Sequence, residues 1–143
     1  MISISTTHLA SMRAHAEADY PHECCGGLLG TFDGEIKTVT DVIALDNHWD
    51  DIPGEDKTRR FRITPEDYKM LEKKATADGV MLLGFYHSHP DHPPIPSDTD
   101  LKFAWPFFSY PILAVKKGAF DSIKSYELIG DALQEECVNL SQF

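Results

Sequence analysis

The chain has 143 residues, 42% hydrophobic and 25% charged. That is the length of a single domain with one core and the composition of an ordinary globular protein, without the polarity of a disordered chain or the long apolar runs of a membrane protein. Its 13 Lys and Arg against 23 Asp and Glu give a formal charge of -10, which repels a phosphate backbone and excludes nucleic acid as a partner.

Met1-Ile2-Ser3-Ile4-Ser5 has no basic residues ahead of an apolar stretch, so it is not a secretory signal, and a cytoplasmic location is expected. Residues 6–20 follow the cap candidates Ser5, Thr6 and Thr7. They place Leu9, Met12 and Ala16 at spacings near three and four, which predicts an amphipathic helix ended by Pro21. Cys24 to Phe32 reads as a strand, Asp33-Gly34 as a turn and Glu35 to Leu45 as the second strand of a hairpin. Three cysteines, two of them adjacent, do not make a disulfide framework. Nothing supplies the second half of a Cys-x-x-Cys metal site, so Cys24 and Cys25 are expected reduced and in the core.

Residues 46–60 are polar, contain Pro53-Gly54 and have no periodicity, and so predict a long loop. Phe61-Arg62-Ile63 fits a brief strand. Thr64-Pro65-Glu66-Asp67 supplies a cap, a proline at the first helical position and an acidic first turn for a helix over 65–78, which Gly79 terminates. The apolar run Val80 to Tyr86 is a strand buried on both faces. From His87 to Asp100 the chain is a loop stiffened by Pro90, Pro93, Pro94 and Pro96, followed by a short helix from Ser97 to about Ala104. Two further strands, Tyr110 to Val115 and Phe120 to Ile129, flank a Lys117-Gly118 turn. The elements add up to an α/β or α+β domain over residues 1–143, with a mixed sheet flanked by helices.

His87 and His89, two apart at the end of the central strand, send both imidazoles to one face. Zinc takes such nitrogens, and a catalytic site keeps three protein ligands and one open position. Asp100 is the best third ligand, because a cap at Ser97 sets it one turn into a helix near the strand end. Ser97-Asp98-Thr99-Asp100 is equally a capping box with no other duty, and two histidines beside a strand end can simply solvate a loop. His15, His22, His48, His92, Asp91 and Asp98 are rival ligands without a spacing that brings them to the His87/His89 face, and are expected at the surface. For His22 and His92, a contact to substrate or to a ligand stays open.

His87-Ser88-His89-Pro90, six residues, then Ser97-Asp98-Thr99-Asp100 match the JAMM or MPN+ motif of zinc metallopeptidases without gap or substitution. The segment Tyr20 to Gly27 resembles the one that carries that family's glutamate, and the likeness covers nearly the whole chain. The resemblance implies a curved, cytidine-deaminase-like sheet and one Zn²⁺ held by His87, His89 and Asp100. It further implies Glu23 as general base and Ser97 as a helper of the oxyanion. Zinc acidifies a bound water and polarises a carbonyl, and a nearby carboxylate can pass a proton to the leaving amine, so these roles are physically coherent. Short stand-alone bacterial members of the family handle ubiquitin-like sulfur carriers, which implies cleavage after a carrier's C-terminal Gly-Gly. A non-catalytic scaffold of the same fold is the alternative. A zinc deaminase is set aside, because His-x-Glu with Pro-Cys-x-x-Cys is missing.

Overall fold

Ile2-Ser3-Ile4-Ser5 alternates apolar and polar residues, and in the computed structural model, which describes residues 1–48 and 60–141, it forms strand β1 (Ile2–Ser5). Both isoleucines are fully buried. Ser5 then caps helix α1 (Thr6–Asp19) by accepting the His8 N–H at 3.1 Å. Met12 and Ala16, one turn apart, are the residues that α1 buries.

Strands β2 (Cys25–Phe32) and β3 (Lys37–Leu45) form the expected hairpin. At its turn Asp33 Oδ1 accepts the N–H groups of Glu35 and Ile36, and Gly34 takes φ +102°, a backbone state that a Cβ disfavours. The polar 46–60 segment falls at residues 49–59 outside the described residues. Phe61 to Ile63 is irregular rather than a strand, and two of its residues are engaged outside the sheet ladder. Arg62 N–H donates to the Asn47 side chain, and Phe61 stacks on a histidine. Helix α2 (Pro65–Ala77) has the capping box written in its sequence, with Thr64 and Asp67 exchanging bonds of 3.1 and 3.2 Å.

The central strand β4 (Met81–Pro90) is longer than the sequence implied, because pairing with the later strand β5 (Ser109–Lys116) continues through His87, Ser88, His89 and Pro90. Proline is tolerated there because the pairing of β4 with β2 ends at His87, so Pro90 lies at a locally edge position. After it come the short helix α3 (Asp98–Lys102) and strands β5 (Ser109–Lys116) and β6 (Ala119–Ile129). Lys117 and Gly118, both at positive φ, close the β5–β6 hairpin. Strands β7 (Ala132–Glu136) and β8 (Val138–Ser141) complete the chain.

The sheet order is β7-β6-β5-β4-β2-β3-β1-β8, with parallel pairs at β1–β3, β1–β8 and β4–β5 and antiparallel pairs elsewhere. Its two outermost strands, β7 and β8, are separated along the chain by Cys137 alone, so the sheet must curl until its ends meet one segment. Lys37 shows the curl directly: from β3 its Nζ reaches Ser109 Oγ on β5 at 3.0 Å and Glu127 on β6 at 3.3 Å.

One core lies under α1 and joins Met12 and Ala16 to Ile2, Ile4, Leu28 and Tyr86. The other lies under α2 and joins Leu71 and Ala75 to Cys25, Leu29, Leu82 and Phe85. Each fully buried aliphatic side chain there contributes about 1.5–3 kcal/mol. Cys24 and Cys25 are buried free thiols, one in each core, as the sequence implied. Among the described residues no helix is long and apolar enough to cross a membrane.

Candidate metal centre

Alternation along β4 builds the site. Phe85 belongs to the core under α2 and Tyr86 to the core under α1, so His87 and His89 emerge on the α2 side. Both are about 1% exposed. Their Nε2 atoms lie 3.2 Å apart, and each faces Asp100 Oδ2, at 3.2 Å from His87 and 3.3 Å from His89.

Three ligands at the usual zinc distances of about 2.0–2.1 Å on a tetrahedron stand about 3.3 Å from one another. The triangle has that size. His89 Nδ1 lies 2.8 Å from the Pro93 carbonyl, which can only accept, so Nδ1 carries the proton and Nε2 keeps its lone pair for the triangle. His87 is held by packing instead. Phe61 stacks on it with centroids 4.4 Å apart, and among the described residues its Nδ1 has no hydrogen-bond partner. Two imidazole nitrogens and one carboxylate fit zinc, with room for a fourth ligand.

Asp100 serves the cap and the triangle with the same carboxylate. Ser97 Oγ accepts the Asp100 N–H at 3.1 Å, Asp100 Oδ2 accepts the Ser97 N–H at 2.9 Å, and that same oxygen forms the corner of the triangle. Burial pushes the Asp100 carboxyl up, but His87, His89 and the Ser97 N–H together hold it well below the ordinary carboxylate range. The preceding turn is anchored on both sides. Asp91 receives the Tyr20 hydroxyl and the Lys117 N–H, and the Tyr126 hydroxyl donates to the Pro94 carbonyl at 2.7 Å.

Glu23 sits just before β2 and is 2% exposed. A carboxylate oxygen of Glu23, a His89 nitrogen and a His92 nitrogen all lie within 4.8 Å of one another, which sets Glu23 beside His89. Burial first, and Asp100 second, push its carboxyl up to about 9 against the lowering influence of Arg60. Its backbone is pinned by Ser88, whose Oγ accepts the Cys24 N–H, and by Asn47, which donates to the Glu23 carbonyl at 2.9 Å.

The structure therefore brings Glu23, His87, His89, Ser97 and Asp100 together. It also adds residues that the sequence did not single out. Ser88, Asn47 and Phe61 carry no motif, and their roles arise from pairing between distant segments. His92 is half-buried with its ring stacked on His89 at 4.2 Å, so of the two positions left open for it, at the surface or against a candidate ligand, it takes the second. His15 is not a free surface residue either. It bonds the Tyr86 hydroxyl at 2.7 Å on the other face of the sheet and pairs with Asp19.

The family described as prokaryotic homologs of the JAB domain matches residues 5–128. The chain belongs to that family. Within it, the chain is similar to a desampylase of Haloferax volcanii, 31% identical over 89% of this chain and 84% of that one. It is also similar to a CysO-cysteine peptidase of Mycobacterium bovis, 30% identical over 91% and 84% respectively. Among solved structures, a protein of Desulfitobacterium hafniense superposes with a TM-score of 0.85 at 30% identity, covering 100% of this chain and 94% of that one. A JAB1/MPN domain protein of Archaeoglobus fulgidus, at 19% identity, shares the fold with a TM-score of 0.61 over 98% and 96%. The JAB/MPN fold that the motif implied is the fold of this chain.

Proposed function

We propose that this JAB-domain protein is a zinc-dependent peptidase or isopeptidase that cleaves after the C-terminal Gly-Gly of a ubiquitin-like sulfur-carrier protein. The reading rests on one observation above all: a zinc-sized triangle of His87, His89 and Asp100 with the Glu23 carboxylate within 4.8 Å of His89. The names of the two relatives, a desampylase and a CysO-cysteine peptidase, support a hydrolytic role and a protein substrate.

Zinc at the triangle would supply an acidified water and an electrophile for the scissile carbonyl. Glu23, nearly sealed from solvent and kept charged when a dication fills the triangle, would take the proton of the attacking water and return it to the leaving amine, which its position beside the triangle allows. Ser97 keeps its hydroxyl proton, because its oxygen is engaged as an acceptor, so it can donate to the carbonyl oxygen as charge develops there. A Gly-Gly tail has no side chains to obstruct a close approach to such a buried site.

The test is the intact mass of a ubiquitin-like sulfur carrier extended by an amino acid or peptide beyond Gly-Gly, incubated with the protein carrying one equivalent of zinc. A product ending at Gly-Gly, lost on chelation, is the expected result. An unchanged carrier with zinc bound would support the non-catalytic scaffold instead.

A further inference from the structure

The triangle is overlapped by a second set of ligands. Glu23, His89 and His92 each offer a ligand atom, all within 4.8 Å of one another, and His89 belongs to both sets. The His92 ring lies nearly parallel to that of His89, 23° apart, and its Nδ1 is 2.8 Å from the Pro90 carbonyl. A carbonyl only accepts, so His92 Nδ1 carries the proton and Nε2 keeps its lone pair, the same tautomer as in His89. Glu23 bonds Asn47 through its backbone carbonyl, so that bond does not draw on the carboxylate. A carboxylate oxygen, which a dication beside it keeps charged, and an imidazole nitrogen are a donor pair that zinc accepts.

We infer that a second divalent cation binds between Glu23 and His92 once the His87/His89/Asp100 triangle is filled, and that it silences the site by occupying Glu23. The inference rests on the peptidase reading for its consequence, though not for the binding itself. With His89 Nε2 committed to the first ion, the second has two protein ligands and water for the rest of its shell. It therefore binds more weakly than the first. The site would then be fully active over a window of zinc concentration and inhibited above it. Removal of a general base costs about 10²–10⁴-fold in rate, which sets the depth of the inhibition.

The experiment titrates zinc into the wild-type protein, His92→Ala and Glu23→Gln against a chromogenic chelator, counting bound equivalents. Cleavage by wild type and His92→Ala is measured over the same range, each normalised to its own rate at one equivalent. The expected result is two equivalents for the wild type and one for each variant. Wild-type activity should fall about 100-fold or more as the second equivalent fills, while His92→Ala stays level. One equivalent in the wild type, or two retained in both variants, overturns the site. A second equivalent that fills without loss of cleavage overturns its inhibitory role. If no substrate is cleaved at all, the peptidase reading fails, and the count of equivalents still decides the second site.

Discussion

Ser88 Oγ accepts the Cys24 N–H at 2.8 Å, and the Ser88 N–H returns a bond to the Cys24 carbonyl at 3.2 Å. The residue between the two histidines is thus locked to the residue after Glu23. This exchange between β4 and the residue just before β2 holds the proposed base to the proposed ligands through the backbone.

Replacing Ser88 by Ala removes the acceptor and leaves a buried N–H without a partner, which costs about 1–3 kcal/mol. Urea unfolding should register that loss. Because His87, His89 and Asp100 are untouched, zinc content should stay at the wild-type level while kcat falls. Unchanged stability would show that the bond does not hold the two strands.

In the metal-free protein Glu23 titrates at about 9, against 4.5 for an ordinary glutamate, with burial as the main cause and Asp100 next. A raised carboxyl means that the fold binds a proton the unfolded chain has released. The contribution to stability is therefore complete below 4.5 and is lost as pH rises towards 9. Denaturation of the metal-free protein should show stability falling across that window, with a smaller fall in Glu23→Gln. Zinc should flatten the wild-type slope, because a dication beside the carboxylate favours its charged form.

The fold separates its thiols. Burial pushes Cys24 up to about 12, the Ser88 hydrogen bond opposing it, and burial followed by Cys24 raises Cys25 further still. Cys137 is exposed. A thiol-alkylating reagent at mildly alkaline pH should label Cys137 alone in the folded protein and all three cysteines after denaturation, as read by mass spectrometry. Rapid labelling of Cys24 in the fold would contradict its burial.

The sequence carried the helices well because their signals are local. Ser5 and Thr64 cap, Pro65 starts α2, and Met12 and Ala16 mark the buried face of α1. Lys117-Gly118 announced its hairpin for the same reason. Strands β7 and β8 were missed because Ala132-Leu133-Gln134-Glu135-Glu136 and Val138-Asn139-Leu140-Ser141 are short and polar, and pairing with β6 and β1 alone makes them strands. Strand β1 has a clear alternation, but four residues of it are as easily read as the approach to a helix.

Within the site, the spacing of His87, His89 and Asp100 was legible, as was the capping box. Their simultaneous use of one Asp100 oxygen was not, because a sequence cannot show where that oxygen points. Phe61 against His87 and Asn47 against Glu23 were hidden for a related reason. Each joins segments that meet only after the sheet has formed.

The central claim is that His87, His89 and Asp100 hold the metal while Glu23 moves the proton. It is tested most directly by measuring zinc content and Gly-Gly cleavage side by side in Glu23→Gln and Asp100→Asn. Glu23→Gln is expected to keep one equivalent of zinc and lose about 100-fold or more in rate, while Asp100→Asn loses the zinc along with the activity. Wild-type cleavage by zinc-loaded Glu23→Gln would contradict it.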